Sequence, residues 1–325
     1  MTTVGTSTVN ALRVKLQQRA ELYRQIRRFF AARHVLEVET PILSAAGNTD
    51  PNIESFRCTF DGHIDAGSRS RWLRTSPEYP LKRLLAAGVG DCFELGKVFR
   101  NGEVGRRHNP EFTMLEWYRV GWDHYRLMDE VAELIGQVLA VSGLSITMLK
   151  STYRDLFRNA LQLDPWTATM SQLQAPLSDY RLEGEGLSKD DWLDLLFSHL
   201  VQPRFPADRL TLVYDYPTSQ CALAQIRDQP YPYAERFEAY VGPLELANGY
   251  HELRDPVEQQ RRFQRDLSTR HQQGKVPPPI DTSLLAVLDH LPDCAGVAIG
   301  IDRLLLTRSG ALDLRDLLVF PFAQA

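Results

Sequence analysis

The sequence predicts an α+β protein with an antiparallel sheet flanked by helices. Strand-like patterns fall beside one another along the chain rather than alternating strictly with helices, which disfavours a parallel, doubly wound sheet. Neither GxGxxG nor GxxxxGKS/T occurs, so the two commonest nucleotide-binding folds lack support. The 325 residues, 43% of them hydrophobic, are enough for a large soluble core.

Residues 1–10 are expected to be a disordered tail, and 11–325 one domain. Leu12 to Arg33 has apolar residues at helical spacing, Leu12, Leu16, Ala20, Tyr23, Ile26 and Phe30, as an amphipathic helix requires. Its other face carries Arg13, Lys15, Arg19, Arg24, Arg28 and Arg33. That face is either solvated or a docking surface for an acidic macromolecule. Val35 to Pro41 alternates apolar and acidic residues and reads as a strand ended by proline. Residues 44–68 read as a loop with one short strand, Ser55 to Phe60, and Trp72 to Thr75 as another strand. Pro77 to Ala87 fits a helix with proline at its start. Cys92 to Arg100 and Glu111 to Arg119 are the arms of a hairpin, and Asp123 to Val141 is a helix.

The stretch 150–205 reads as polar and irregular, apart from a helix capped at Ser188 and running to Val201. Strands follow at Arg209 to Tyr214, Arg236 to Tyr240, Leu244 to Ala247 and Gly249 to Glu252. A charged helix spans Pro256 to Gln272, and Ser283 to Leu291 forms another. Gly296 to Ile301 is a short apolar strand that feeds a helix at Asp302.

Lys+Arg total 37 against Asp+Glu 41, a net charge of −4, which argues against nucleic acid as an obligatory partner. Apolar runs are too short for a membrane span and MTTVGTSTVN has no signal core. Cys58, Cys92, Cys221 and Cys294 are scattered without a CxxC pair. They read as free thiols in a reducing cytoplasm rather than a disulfide frame or zinc site. The eight histidines include no HExxH pair.

The hairpin carries the chemistry. Phe99 to Tyr118 reads FRNGEVGRRHNPEFTMLEWY: an arginine at a strand end, two more in a Gly-containing loop, and a phenylalanine on the return strand. Glu116 and Tyr118 are two apart and share one strand face, where they can hold a cationic substrate. Glu238 and Glu245 flank the turn Gly242-Pro243. Ser76-Pro77-Glu78 and Ala247-Asn248-Gly249-Tyr250-His251-Glu252 add further polar groups.

These stretches resemble the class II aminoacyl-tRNA synthetases, specifically the lysyl branch. Phe99 to Tyr118 is similar to its second motif, Gly296-Val297-Ala298-Ile299-Gly300-Ile301-Asp302-Arg303-Leu304 to its third, and the first helix with Val35 to Pro41 to its first. The resemblance covers about residues 12 to 322. It implies that Arg100 binds the α-phosphate of ATP and the amino acid carboxylate, and that Arg107 reaches the γ-phosphate. Asn109 would read the adenine edge, and Phe112 and Arg303 would sandwich the ring. Asn101, Leu246 and Gly300 complete the implied ATP set. Arg100 and Arg303 are the implied catalytic residues, since fixed guanidinium groups stabilise charge building on phosphorus. Glu238 and Glu245 would ligate Mg²⁺ between the phosphates. Ser76, Pro77, Glu78, Glu116, Tyr118, Asn248, Tyr250, Glu252 and Ala298 match lysine-binding positions. Several acids converging on one cavity need a cation to pair with.

The first motif begins almost at once, so the anticodon-binding OB barrel of the full synthetases is expected to be absent. The resemblance then narrows to the paralogues that attach (R)-β-lysine to a lysine of translation elongation factor P, with tRNA not expected as acceptor. Ala298 stands where the synthetases usually have glycine. One added methyl could disfavour α-lysine by roughly 1–3 kcal/mol. Gly102 departs from both groups, which usually have glutamate there; Glu103 follows one place later. The first motif implies a homodimer.

Overall fold

The computed structural model describes residues 6–180, 186–229 and 231–325, with side chains from residue 10 onward. The chain divides into two compact units, 1–121 with 254–294 and 298–325, and 122–253 with 295–297. Both hold mixed rather than purely antiparallel sheet, because Leu36–Glu37 pairs parallel with Cys92–Phe93 and Thr147–Thr152 with Arg209–Tyr214.

In the first unit α1 spans Thr6–Ala31. The helix therefore takes in residues 6–10 of the expected tail, while residues 1–5 lie outside the described residues. Leu22, Ile26, Phe29 and Phe30 form its buried stripe. Phe30 stacks on Phe93 at 4.4 Å and meets the edge of Trp117 at 5.3 Å. The expected stripe through Leu12, Leu16 and Ala20 is not buried, and Val14 and Leu16 stay exposed.

The strand expected over Val35 to Pro41 shortens to β1, Leu36–Glu37, parallel to the later β5. Three residues on, Thr40 donates to Glu94 at 2.6 Å. Then come β2 (Leu43–Ser44), β3 (Arg57–Thr59) and β4 (Ser70–Leu73), which form a small separate sheet in the order β2-β4-β3. Helix α2 is Glu78–Ala86, with Pro77 at its N-cap. Strands β5 (Cys92–Phe99) and β6 (Glu111–Val120) pair without a break, Cys92 opposite Tyr118 and Phe99 opposite Glu111.

The second unit opens with α3 (His124–Ala140), whose N-cap Asp123 accepts from the Arg126 N–H at 2.9 Å. Strand β7 (Thr147–Thr152) had no clear sequence signal, because its side chains are mostly exposed. The stretch expected to be irregular is helical: α4 (Tyr153–Leu161), α5 (Met170–Gln174) and α6 (Lys189–Leu196), the last continuing as a π-turn over Phe197–Val201. These short helices bury Tyr153, Phe157, Leu173, Leu193, Leu196 and Phe197 in one core. Ser188 caps α6 as expected, with Asp191 completing a capping box. Strands β8 (Arg209–Tyr216), β9 (Ile226–Arg227), β10 (Tyr233–Val241) and β11 (Leu244–His251) follow, and the two strands expected over Leu244 to Glu252 are one.

The chain returns to the first unit as α7 (Pro256–Gln272), capped by Asp255. The helix expected over Ser283 to Leu291 is only α8 (Thr282–Leu285) and a 3₁₀ turn, Leu288–His290. Strand β12 (Cys294–Gly300) leads directly into α9 (Ile301–Ser309). All four cysteines are free thiols. Among the described residues no helix is long and apolar enough to cross a membrane.

Candidate active site

In the first unit the β5–β6 hairpin presents the cations. Its loop is closed by a Gly105–His108 bridge, and the Arg100 N–H donates to the Pro110 carbonyl at 2.9 Å. Gly102 has φ +83° with open space where a Cβ would project. A glutamate would fit there sterically but be strained in that left-handed backbone. Glu103 instead brings its carboxylate to 3.7 Å from Arg100. Arg100 also lies over the Phe112 ring at 5.3 Å. Its Nε is buried without a hydrogen-bond partner. Arg107 is exposed on the loop and Asn101 is held by its N–H to the Glu54 carbonyl at 2.8 Å. Asn109 uses both ends of its amide, donating to Glu111 O at 2.6 Å and accepting from Phe322 N–H at 3.2 Å. Reading an adenine edge would mean exchanging one of those bonds.

Arg303 sits in the first turn of α9, after Gly300 at the N-cap. Its neighbour Asp302 fixes that turn, accepting from the Thr113 N–H at 2.8 Å and pairing with Arg19. Arg303 Nη2 donates to His108 Nε2 at 2.5 Å, which requires a neutral imidazole. Desolvation and then the Arg303 charge pull His108 below the ordinary histidine range. Sequence reading missed both His108 and Asp302. The signals were there, an imidazole between loop arginines and an acid opening a helix.

On the same β6 face as Phe112 stand Met114, Glu116 and Tyr118. Glu116 is buried and accepts from the Tyr118 hydroxyl at 2.8 Å. Its cross-strand neighbour Glu94 is already paired with buried Arg74 at 2.6 Å. Glu116 adds to the burial that pushes the Cys92 thiol up to about 12. The Glu78 N–H donates to the Ser76 hydroxyl at 2.9 Å, and the Glu78 carboxylate pairs with fully buried Lys82 at 2.7 Å. Lys82 was not anticipated; an i,i+4 Glu–Lys pair is ordinarily a surface feature.

In the second unit β10 and β11 place Arg236 opposite Tyr250 and Glu238 opposite Asn248, with a bulge at Ala239/Tyr240 that sets Tyr240 opposite Glu245. Arg236 pairs with Glu238 Oε1, while Tyr216 at 2.8 Å and Tyr240 both donate to Oε2. Burial, with Glu238 next, raises both phenols well above their usual range, so they remain donors. Arg236 also reaches Asn248 at 3.3 Å, whose amide donates to Tyr250 at 2.9 Å. Glu252 is fully buried and Glu245 half-buried. The Leu246 side chain is core. Gly249 is required by close approach: a Cβ there would lie 2.5 Å from Phe237 and 2.9 Å from Gly296 O. Ala298 is half-buried on β12.

The α1 arginines are less available than their sequence suggests. Arg19 is committed to Asp302, Arg27 to Glu37 at 2.9 Å, and Arg33 caps Phe29 O at 3.0 Å over its ring. Arg24 and Arg28 remain exposed, Arg24 beside Glu21.

An arginine-bearing hairpin, a strand running straight into an arginine-bearing helix turn and a bulged acidic hairpin define a class II synthetase catalytic fold. The model of the class II tRNA synthetases (D, K and N) matches residues 6–324, and the chain belongs to that family. Within it, the chain is 45% identical over 314 residues to a protein of Yersinia enterocolitica titled elongation factor P–(R)-β-lysine ligase, covering 95% of each. Proteins of the same title from Enterobacter sp. and Vibrio cholerae are 45% and 46% identical, over 95% and 96% of each chain.

Proposed function

We propose that this chain is an ATP-dependent ligase that activates (R)-β-lysine and transfers it to a lysine ε-amine of translation elongation factor P. The observation that carries the reading is the near full-length likeness to relatives of that title. Arg100, Arg107, Asn109 and Phe112 match the second motif and Arg303 the third, and Glu238 and Glu245 match the Mg²⁺-binding positions of the similar synthetases.

A β-lysine carboxylate oxygen attacks the α-phosphorus of ATP. A P–O bond forms, pyrophosphate leaves, and the aminoacyl-adenylate results. The acceptor amine then attacks the activated carbonyl, AMP leaves, and an amide is formed. Arg100 neutralises charge at the α-phosphate and orients the carboxylate. Arg107 reaches the γ-phosphate. Arg303, held by neutral His108, covers the adenine face opposite Phe112. Asn101, Asn109, Gly300 and the Leu246 backbone complete the nucleotide contacts. No side chain forms a covalent bond; positioning and fixed charge carry the rate.

Glu238 and Glu245 would hold Mg²⁺ through their hard carboxylate oxygens, and the ion would supply positive charge against the phosphates. Glu238 would keep Arg236 on one oxygen and exchange phenol hydrogens on the other. Two substrate ammonium groups would suit acids at the lysine-binding positions that the resemblance gives to Glu78, Glu116 and Glu252, with Ser76, Pro77, Tyr118, Asn248, Tyr250 and Ala298 at the other such positions. Exposed Val14, Leu16, Leu36, Ile42 and Leu43 support the homodimer. Exposed Arg24 and Arg28 are a docking patch for an acidic acceptor, and the free thiols suit a reducing cytoplasm.

ATP–pyrophosphate exchange with each lysine isomer tests the first half-reaction. Exchange strongest with (R)-β-lysine is expected; no exchange with any isomer overturns the reading. Acylation of tRNA but not of elongation factor P would assign a different acceptor.

A further inference from the structure

A second constellation lies wholly in the second unit, apart from the residues given a role above. His124 opens α3, Glu235 lies on β10 and His251 on β11, and continuing the strand register sets Glu235 opposite His251. All three are buried, at 0%, 2% and 8% exposure. One ligand atom from each lies within 4.8 Å of the others.

The detailed bonding is informative. His124 Nε2 meets Asp215 Oδ1 at 3.0 Å, and Asp215 also accepts from the Tyr125 hydroxyl at 3.1 Å. Asp215 has φ +59°, an uncommon conformation for a residue with a side chain. The carboxylate fixes the proton on Nε2 and leaves His124 Nδ1 a bare lone pair. That nitrogen is buried with no hydrogen-bond partner, a costly state for a polar atom unless an ion satisfies it. Glu235 divides its oxygens between Arg227 at 2.5 Å and His251 Nδ1 at 2.5 Å. Burial opposes its ionisation. The His251 hydrogen bond and the nearby charges nevertheless hold the carboxyl below its ordinary range.

We infer that His124, Glu235 and His251 form a divalent metal site of the Zn²⁺ type, with Asp215 orienting His124 from behind. Two imidazoles and a carboxylate are a zinc donor set, and three protein ligands leave a fourth position for water. The Asp215–His124 pair is the carboxylate–histidine arrangement that sets tautomer and ring orientation at zinc centres. Metal entry releases to solvent the proton held between Glu235 and His251. Binding joins α3 to β10 and β11 and stabilises the second unit. Sequence spacing concealed the site because its ligands lie on three separate elements.

The test uses the full chain stripped by chelator, reloaded with Zn²⁺ alone and desalted before metal analysis. Wild type is expected to retain one Zn²⁺ per chain and to melt at higher temperature than the stripped protein. His124→Asn and His251→Gln are expected to lose that metal, and Asp215→Asn to weaken binding about 10- to 100-fold. Co²⁺ loading of wild type serves if those variants fail to fold. It should give visible bands of four-coordinate cobalt without a thiolate charge-transfer band, since the cysteines take no part. No retained metal, unchanged retention in folded His124→Asn and His251→Gln, or six-coordinate or thiolate-bound cobalt overturns the assignment.

Discussion

In the β5–β6 hairpin Arg100 and Arg107 stand on the loop, whereas in the β10–β11 hairpin Glu238 stands inside the strand. Arg100 makes only a 3.7 Å approach to Glu103 and a 5.3 Å approach to the Phe112 ring, and Arg107 is exposed. Glu238, by contrast, is buried with both oxygens engaged by Arg236, Tyr216 and Tyr240. The first hairpin carries loosely held loop cations, and the second a carboxylate fixed by its neighbours.

The sharpest way to break the comparison is to remove the fixed acid. Glu238→Ala removes the buried carboxylate that Arg236, Tyr216 and Tyr240 share and should cost about 3–5 kcal/mol of stability, read by chemical denaturation. The loop cation should behave differently. Arg100→Ala should leave the denaturation midpoint close to wild type while slowing ATP–pyrophosphate exchange by roughly 100- to 1,000-fold. Equal destabilisation by both substitutions would erase the distinction.

Ala298→Gly sharpens the amine side. It should shift selectivity toward α-lysine by roughly 1–3 kcal/mol, read as a ratio of kcat/KM values for the two isomers; an unchanged ratio removes Ala298 from the specificity account.

The smallest effect concerns His108. Its folded value lies below its unfolded one, so the folded chain binds this proton less readily. Its contribution is present above the ordinary value of about 6.5 and is lost as pH falls below it. Adenylation should therefore weaken on that acid limb, by about 0.5–1.5 kcal/mol for one hydrogen bond. His108→Gln, which keeps an acceptor for Arg303, should flatten the limb in a pH profile of pyrophosphate exchange.

The two hairpins also differ in how plainly the sequence announced them. Cys92 to Phe99 and Glu111 to Val120 flank a recognisable loop, and their ends were anticipated to within one residue. The β10–β11 pair was found too, but not its bulge, because a register shift leaves no periodic mark. The partners of Glu238 were equally hidden, since Tyr216 comes from β8. Around 150–205 the apolar residues sit on helices of only a few turns, too short to show a period, although together they fill one core. The positions of Arg100, Phe112 and Arg303 were legible in local motifs; pairings between distant stretches, Arg19 with Asp302 and His124 with Asp215, were not.

The most direct measurement is the intact mass of purified elongation factor P after incubation with this protein, ATP and each lysine isomer. The account predicts the added mass of one lysyl group, fastest with (R)-β-lysine and absent without ATP. An unchanged mass with every isomer, while the protein still exchanges pyrophosphate, would contradict it.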